Sequence, residues 1–341
     1  MTYQPSFTLT AKTLNLIALI SEQLGRLSAL DEQAQALRLR RVNQIRTIQG
    51  SLAIEGNTLT VEQITAVLEG KPVIAPPKEV QEVKNALAVY ERFNEWNPLN
   101  ETDLLDAHRI LMLGLVDQLG AYRSGGVGVM NGSQVVHMAP PANQVPRLMS
   151  DLFGWLKNTD HHPLIASAVF HYEFEFIHPF ADGNGRMGRL WQSLILAKWN
   201  PLFANLPIES LVYAHQADYY QAIGQSTKQT DCAAFIEFML TIIKQTLREQ
   251  LTVTPQATPQ VTPQAEQPIV HEILQQQPGL VDYCQTPRTR TELQAFCGLK
   301  DREHFRKSVL KPLLEAGWLQ MTLPDKPNSP KQKYFCAEGA H

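Results

Sequence analysis

The twelve residues from His178 to Arg189, HPFADGNGRMGR, constrain this chain more than any other segment does. Apolar residues at helical spacing precede them at Leu164 to Phe176, and a second helical run extends from Met187 to Lys198. Pro179 and Gly183 end the first helix, and Gly183 and Gly185 let the backbone approach a ligand because they carry no Cβ. The segment therefore predicts a tight ligand-binding loop between two helices.

The residue types in this loop favour a phosphorylated ligand. Backbone amides at the start of the second helix point outward, and the helix dipole favours an anion there. Arg186 and Arg189 share a helix face, so both can hold phosphate oxygens. Asp182 is a hard oxygen ligand that suits Mg²⁺ bridging phosphates, and His178 can accept a proton near neutral pH. We expect an anion site, a metal carboxylate and a general base.

A competing interpretation is a dinucleotide-binding turn, because Gly183, Gly185 and Gly188 also spell G-x-G-x-x-G. That pattern requires a preceding strand and an acidic residue about 20 residues later. Glu209 lies near that distance, but the preceding segment has helical spacing and no strand-helix-strand unit follows. The sequence therefore does not favour a dinucleotide-binding domain.

The loop matches the full H-x-F-x-D-G-N-G-R-x-x-R signature and so resembles the Fic (filamentation induced by cAMP) family. Gly185 stands where the kinase-like Doc branch of that family has lysine, so the chain is similar to the nucleotidyl-transferring branch. The resemblance implies a helical domain that transfers AMP from ATP to a Ser, Thr or Tyr hydroxyl of a target protein. It also implies ATP as the substrate and Mg²⁺ as the cofactor.

The resemblance further implies a role for each residue of the signature. His178 is the general base, Phe180 seats the loop, and Asp182 holds Mg²⁺ against the α- and β-phosphates. The groups implied to hold phosphates are Asn184, Arg186, the amides of Gly183 and Gly185, and Arg189, which contacts the γ-phosphate.

Ser51 to Asn57, SLAIEGN, is the second informative segment. Taken alone, it is the ordinary end of a helix predicted over Gln33 to Gln49, with Gly56-Asn57 as its stop. Beside the loop, it resembles the inhibitory motif of the family: Ser or Thr, three variable residues, Glu, then Gly or Asn. The resemblance implies that Glu55 pairs with Arg189 and turns ATP away from in-line attack. Because the motif precedes the core on the same chain, we expect intramolecular, class II-like autoinhibition, with Ser51 as the first motif residue.

Two further segments are expected near the nucleotide. Val127 to His137 alternates around Asn131-Gly132, which predicts a β-hairpin. By resemblance this hairpin is the family's flap, with Val129 touching nucleotide; a plain surface hairpin is the alternative. Tyr219-Tyr220 resembles a tyrosine pair that the family sets against adenosine, and core packing of one ring is the alternative.

The rest of the chain predicts a mainly α fold with a small α+β domain at the C-terminal end. Residues 1–100 are expected to form an N-terminal helical region with the inhibitory motif, and residues 101–250 the catalytic core. Thr254 to Gln264 reads TPQATPQVTPQ, which favours extended polyproline II conformation, so residues 251–267 are predicted to be a linker. The other helices expected from apolar spacing are Val80 to Trp96, Asp103 to Leu115, Val145 to Leu156 and Cys232 to Leu247.

The C-terminal domain, residues 268–341, resembles a winged helix. The expected elements are helices at Ile269 to Leu274, Thr291 to Phe296 and Arg302 to Leu314, and wing strands at Trp318 to Leu323 and Gln332 to Phe335 around a turn at 325–328. Lys300, Arg302, Arg306, Lys307 and Lys311 could face a DNA major groove. However, 10 basic and 8 acidic residues give this domain a net charge of only +2, so protein docking and dimer packing also stay open.

Composition restricts the environment of the protein. Thirty basic and 33 acidic residues give a net charge of −3, which supplies no global attraction to nucleic acid or anionic membrane. The longest apolar runs, such as Leu14 to Ile20, are much shorter than the roughly 20 residues of a membrane span. The sequence has no recognisable secretory signal, and its 4 cysteines lack CxxC spacing. We therefore predict a cytoplasmic protein with reduced thiols and no membrane partner.

Two classes of function are compatible with these features. The first is a protein adenylyltransferase inhibited by Glu55, with ATP and an unidentified target protein as partners, and with self-modification or a homodimer as further options. Removal of AMP and use of another nucleotide are variants of this class. The second is a DNA-binding regulator whose Fic domain only senses nucleotide.

Overall fold

The polypeptide divides into two units in this computed structural model, Met1–Val253 and Thr254–His341. The structure describes residues 3–29, 33–126, 128–131, 134–252, 273, 277, 279–299, 301, 305–315, 319–322 and 332–336. Almost all of the predicted linker, from residue 253 onwards, lies outside the described residues.

The first unit is built from α-helices. In its described part these are α1 (Ala11–Ala29), α2 (Gln33–Ile54), α3 (Val61–Leu68), α4 (Pro77–Glu91), α5 (Glu101–Leu111), α6 (Val145–Asn158), α7 (Pro163–Ile177), α8 (Asn184–Trp199), α9 (Ile208–Ala214), α10 (Gln216–Gln229) and α11 (Ala233–Thr252). The predicted mainly α class is confirmed, although α1, α3, α9 and α10 were not predicted. Within the described residues, no helix is both long enough and apolar enough to cross a bilayer.

Helix α7 lies in the centre of this unit and is buried on most of its faces. Its sequence explains this, because apolar residues occupy nearly every position rather than one stripe. Two of its polar side chains are tied to other parts of the unit: the Tyr3 hydroxyl donates to Glu173 Oε2 at 2.7 Å, and His171 Nδ1 lies 2.6 Å from Gln192 Oε1. The helix therefore gives the loop that follows it a rigid base.

Helix α2 continues to Ile54, five residues beyond its predicted end at Gln49. Leu52 and Ile54 are buried in the core, and that burial outweighs the roughly 1 kcal/mol cost of Gly50 inside a helix. Gly50 is needed for close packing, because a Cβ there would lie 2.6 Å from the backbone nitrogen of Ser210 in α9. Gly56, in the turn that follows the helix, has a φ of +90°. Ser51 thus lies in the last turn of α2, and Glu55 is the first residue after the helix.

The predicted hairpin is present. Strand β1 (Gly128–Asn131) pairs antiparallel with β2 (Gln134–Met138), with Val129 opposite His137 and a register shift between Val129 and Met130. The predicted turn residue Gly132 lies outside the described residues, and so does the side chain of Val129.

The second unit contains short helices and a three-stranded antiparallel sheet. Its described elements are α12 (Leu280–Tyr283), β3 (Arg288–Thr289), α13 (Arg290–Phe296), a π-helical turn (Arg306–Leu310), α14 (Lys311–Glu315), β4 (Leu319–Met321) and β5 (Lys333–Cys336). The strand order is β3-β5-β4. Residues such as Leu293, Phe305, Leu313 and Tyr334 form a separate small core. The short strand β3 was not predicted.

The winged-helix and DNA-binding interpretations of this unit stay predictions. The expected wing at 325–328 lies outside the described residues, as do Lys300, Arg302 and the side chain of Lys307. Of the helix expected at Ile269 to Leu274, Ile273 is described, and it is helical.

Candidate active site

The signature loop begins with an unusual backbone conformation at His178. This residue ends α7 with φ 51° and ψ 61°, in the left-handed region that residues other than glycine rarely adopt. Its amide still donates to the Phe174 carbonyl at 2.9 Å. Gly183 is also left-handed, with a φ of 84°, and precedes the first residue of α8. Two left-handed residues thus turn the chain from one helix into the next, and His178 lies at the beginning of that turn.

Phe180 seats the loop in the core. Its ring is fully buried and stacks on His108, with ring centroids 3.7 Å apart and planes 7° apart. The side chain of Asn184 holds the Phe180 backbone at both ends, since Oδ1 accepts from the Phe180 amide at 2.8 Å and Nδ2 donates to its carbonyl at 2.9 Å. The contact expected for Asn184 was phosphate; in the structure its side chain holds the loop in shape.

Arg123 is a site residue that the sequence analysis missed. It is buried, and burial lowers the pKa of its guanidinium. It donates to four backbone carbonyls: His178 at 2.7 Å, Ile177 at 3.3 Å, Gly125 at 2.9 Å and Pro140 at 2.6 Å. The carbonyls of Ile177 and His178 lie at the C-terminal end of α7, where the helix dipole favours a cation. The carbonyls of Gly125 and Pro140 flank the hairpin. Arg123 therefore ties both roots of the hairpin to the peptide of His178.

Asp182 lies at the start of α8 with its side chain 48% exposed. Its Oδ1 accepts from the Gly183 amide at 2.6 Å and lies 3.3 Å from Arg186 Nη2. No group of three or more His, Cys, Asp or Glu residues in the described part of the chain could enclose a metal. One accessible carboxylate nevertheless fits Mg²⁺ that arrives with a nucleotide, because this ion commonly takes one or two carboxylates together with phosphates and water.

Arg186 is buried and lies between two carboxylates. Nη1 is 3.4 Å from Glu82 Oε1 in α4, and Nη2 is 3.3 Å from Asp182 Oδ1. Glu82 also accepts from Asn57 Nδ2 at 2.8 Å, two residues after Glu55. The Nε atom of Arg186 has no hydrogen-bond partner among the described residues. A water molecule or an anionic ligand would supply the acceptor that this donor lacks.

Arg189 contacts the last turn of α2. Its Nη2 lies 2.7 Å from Glu55 Oε1 and 3.0 Å from the Ser51 carbonyl, and its Nε donates to Ser51 Oγ at 3.2 Å. Although burial opposes the charged form, the Glu55 carboxylate raises the pKa of Arg189 above its usual value. The structure thus brings together Glu55 and Arg189, the pair that the family resemblance implies, and adds Ser51 as a further partner of Arg189.

Gly185 makes this contact possible. A Cβ at this position would overlap Glu55 Oε1 and would lie 3.0 Å from Arg189 Nη1. The space that was expected for a ligand is therefore filled by the carboxylate of Glu55.

Further titratable groups are buried behind Arg189. Burial raises the pKa of Glu175 to about 8 and that of Glu209 to about 7, and it lowers the pKa of His171 to about 3. Glu209, the acidic residue considered for a dinucleotide site, accepts from Ser193 Oγ at 2.8 Å in the core. A helix rather than a strand precedes the loop, so the dinucleotide interpretation is excluded.

The two predicted tyrosines occupy different environments. Tyr219 is buried, and its hydroxyl lies 3.1 Å from His171 Nε2, whereas Tyr220 is 40% exposed. Of the pair, Tyr220 is the one with a surface that an adenine ring could cover. Core packing of one tyrosine, the alternative weighed for this pair, describes Tyr219.

Comparisons with known proteins identify both units. Residues 98–196 match the Fic/DOC family, and residues 275–335 match the domain described as "Filamentation induced by cAMP protein Fic-like, C-terminal domain". A crystal structure of a Fic family protein from Desulfovibrio desulfuricans G20 is 49% identical, with 99% of this chain and 100% of that chain covered and a TM-score of 0.73. Fic-1 from C. elegans, 22% identical with 71% of this chain and 72% of that chain covered, has a TM-score of 0.60 and shares the fold.

Curated relatives are similar over a shorter region. "Protein adenylyltransferase Fic" of Nematostella vectensis is 30% identical over 220 residues, which are 61% of this chain and 48% of the relative. The protein of the same name from Culex quinquefasciatus is 29% identical over 248 residues, 69% of this chain and 47% of the relative. The chain thus spans about half the length of the curated relatives it matches.

Proposed function

The chain belongs to the Fic family, and we propose that it is a protein adenylyltransferase, which transfers AMP from ATP to a Ser, Thr or Tyr hydroxyl of a target protein and is inhibited by Glu55. The observation that carries this proposal is the geometry of the signature loop. His178 ends one helix in a left-handed turn, and the next helix begins with glycine amides and two buried arginines. In this proposal, His178 is the base and the start of the second helix is the anion site.

The reaction forms one bond and breaks one. The hydroxyl oxygen of the target attacks the α-phosphorus of ATP, the bond from that phosphorus to the bridging oxygen of the β-phosphate breaks, and pyrophosphate leaves. The hydroxyl proton passes to the His178 ring. The amides at the start of α8 and the guanidinium of Arg186 stabilise the negative charge that develops on the phosphates. Bound at Asp182, Mg²⁺ would supply further neutralisation of phosphate charge.

Glu55 inhibits by occupying Arg189 in this proposal. Glu55 and Ser51 take three of the five N–H donors of this guanidinium, and the carboxylate of Glu55 occupies the edge that would hold the γ-phosphate. Without that contact the triphosphate is not held with its α-phosphorus in line with the incoming hydroxyl, and the barrier for transfer rises.

The hairpin supports a protein substrate in this proposal. A strand edge can bind an extended segment of a target through main-chain hydrogen bonds. Arg123 joins both roots of the hairpin to the His178 carbonyl, so a target held there would lie at a fixed position relative to the base. Val129 and Tyr220 are the residues we propose to contact the nucleotide from the hairpin and from α10. Self-modification, a homodimer, DNA binding and a cytoplasmic location stay predictions.

The test is incubation with Mg²⁺ and ATP that is labelled at either the α- or the γ-phosphate. With the α-label, we expect weak labelling of the wild-type protein or its target, strong labelling by Glu55→Gly, and none by Glu55→Gly combined with His178→Ala. The γ-label should not be transferred. Glu69→Gly, which removes an exposed glutamate at the end of α3, is the matched control and should behave as wild type.

Two outcomes would contradict the proposal. One is a Glu55→Gly protein that binds ATP but does not transfer the α-label. The other is transfer of the γ-label, which would indicate phosphorylation. Release of AMP from a labelled target would instead favour the AMP-removing alternative.

A further inference from the structure

His108 contacts the loop from α5, outside the signature. Its ring is buried against the Phe180 ring in the parallel stack described above. Its Nε2 lies 3.1 Å from the carbonyl oxygen of Asp182, and its Nδ1 accepts from the Gly120 amide at 3.1 Å. Both edges and one face of the imidazole are therefore engaged.

The two hydrogen bonds determine the form of the imidazole. A backbone amide can only donate and a carbonyl oxygen can only accept, so Nδ1 carries no proton and Nε2 carries one. The ring is thus neutral. Burial lowers its pKa to about 4, and the nearby Arg186 acts in the same direction.

The turn at Gly120 allows the hydrogen bond from the Gly120 amide to His108 Nδ1. Gly120 has a φ of +61°, and a Cβ there would lie 2.8 Å from the Leu105 carbonyl oxygen. Only glycine fits this left-handed position, close to α5, from which the amide reaches His108.

The hydrogen bond between His108 Nε2 and the Asp182 carbonyl fixes a peptide plane of the nucleotide site. The carbonyl of Asp182 and the amide of Gly183 belong to one peptide group, which is trans and planar, so they point in opposite directions. While the carbonyl points to His108, the Gly183 amide must point to the other side, where it now donates to Asp182 Oδ1. Glycine permits this plane to flip because both signs of φ are open to it. A flipped peptide would present its carbonyl oxygen, not its N–H group, to an anion.

We propose that His108 is a positioning residue of the nucleotide site, which prevents this flip and so keeps the Gly183 amide and the Asp182 carboxylate directed at the phosphates. The inference rests on the proposed function, since it assumes that a nucleotide binds at the loop. The competing explanation is that His108 only fills the core beside Phe180.

Three substitutions separate the two explanations. A glutamine amide nitrogen can take the place of Nε2, so His108→Gln retains the bond to Asp182. An asparagine oxygen can take the place of Nδ1, so His108→Asn retains only the bond to Gly120. His108→Phe retains the ring stack and neither bond. His161→Gln, which changes an exposed histidine before α7, is the control.

All variants are made in the Glu55→Gly chain. Calorimetry with a non-hydrolysable ATP analogue, at several Mg²⁺ concentrations and in EDTA, gives the dissociation constant, and thermal unfolding reports on the core. We expect His108→Gln and His161→Gln to bind within about threefold of the parent. We expect His108→Asn and His108→Phe to bind about tenfold more weakly, the effect of one buried hydrogen bond. A weaker affinity that persists in EDTA would locate the loss at the amide.

The proposal is overturned if His108→Asn and His108→Phe bind as tightly as His108→Gln. It is also overturned if affinity follows the unfolding temperature across all three variants, or if both weak variants fail to fold, because each of these results means that the ring is structural. A Glu55→Gly parent that does not bind the analogue would instead refute the proposed function, whatever the His108 variants do.

Discussion

Glu175 in α7 gives a prediction that links the buried charges of the site to the stability of the fold. Burial is the main cause that raises the pKa of its carboxyl from the usual 4.5 to about 8, with Glu55 acting in the same direction and Arg189 opposing it. The folded chain therefore binds more protons than the unfolded chain between these two values. Its stability falls as the pH rises from about 4.5 to about 8.

The magnitude follows from this shift. A pH of 7 is about 2.5 units above the pKa of this carboxyl in the unfolded chain, whereas in the folded chain the carboxyl is still protonated. The difference corresponds to about 3 kcal/mol of lost stability. Glu175→Gln keeps the shape of the neutral acid and removes this cost. We expect the variant to match wild type near pH 4.5 and to be more stable by up to about 3 kcal/mol at pH 7.

The assay is urea unfolding at pH 5, 6, 7 and 8, monitored by a tryptophan signal from the first unit. Glu91→Gln, which alters an exposed glutamate at the end of α4, is the control and should leave the profile unchanged. Because Glu55 raises the pKa of Glu175, the gain from Glu175→Gln should be smaller in a Glu55→Gln chain. An unchanged pH profile, or a loss of stability at pH 7 that equals the loss at pH 5, would refute the reasoning.

Three other substitutions have expected outcomes. Gly185→Ala should displace Glu55 from Arg189, but its methyl group also fills space that the phosphates need, so α-label transfer should not rise; labelling above that of the wild-type chain would contradict this. Arg123→Lys should lower the stability by about 2–4 kcal/mol in urea unfolding, because a lysine cannot replace a buried forked donor to four backbone carbonyls. Gly50→Ala should cost about 1–3 kcal/mol through overpacking against α9, and it should increase labelling because it shifts the end of α2. A Gly50→Ala protein with wild-type unfolding and labelling would show that the backbones can separate without cost.

The part of the site that lies in one short segment could be predicted from the sequence. His178, Asp182, Gly183, Arg186 and Arg189 are close in the chain, so their residue types and spacing describe a loop before a helix. The pairing of Glu55 with Arg189 joins residues 134 positions apart. It could be expected only because both segments resemble motifs of one family.

The contacts that hold the loop in place could not be predicted in the same way. His108 and Arg123 reach the loop through tertiary packing, and neither belongs to a spacing pattern that indicates this. The phosphate contact expected for Asn184 came from the family resemblance, and the hydrogen bonds of its side chain to the backbone of Phe180 could be found only from the structure.

The missed helices have different explanations. Leu16, Ile20 and Leu24 recur every four residues and are buried, so the signal for α1 was available in the sequence. Helix α10 has a weaker signal, since Gly224 and several polar residues interrupt its apolar face. The end of α2 was placed too early, since the close packing of Gly50 against α9 can be seen only in three dimensions.

The position of Ser51 and Glu55 at one helix end has a consequence for how the proposed activity would be switched on. Both residues that contact Arg189 belong to one turn at the end of α2. In this turn the Asn57 amide donates to the Leu52 carbonyl at 3.1 Å. Unfolding of this turn would release the guanidinium of Arg189 from Ser51 and Glu55 together, and refolding would restore both contacts. The rate of transfer would therefore be proportional to the fraction of molecules in which the end of α2 is unfolded. Any binding event that unfolds this end of α2 would raise the rate.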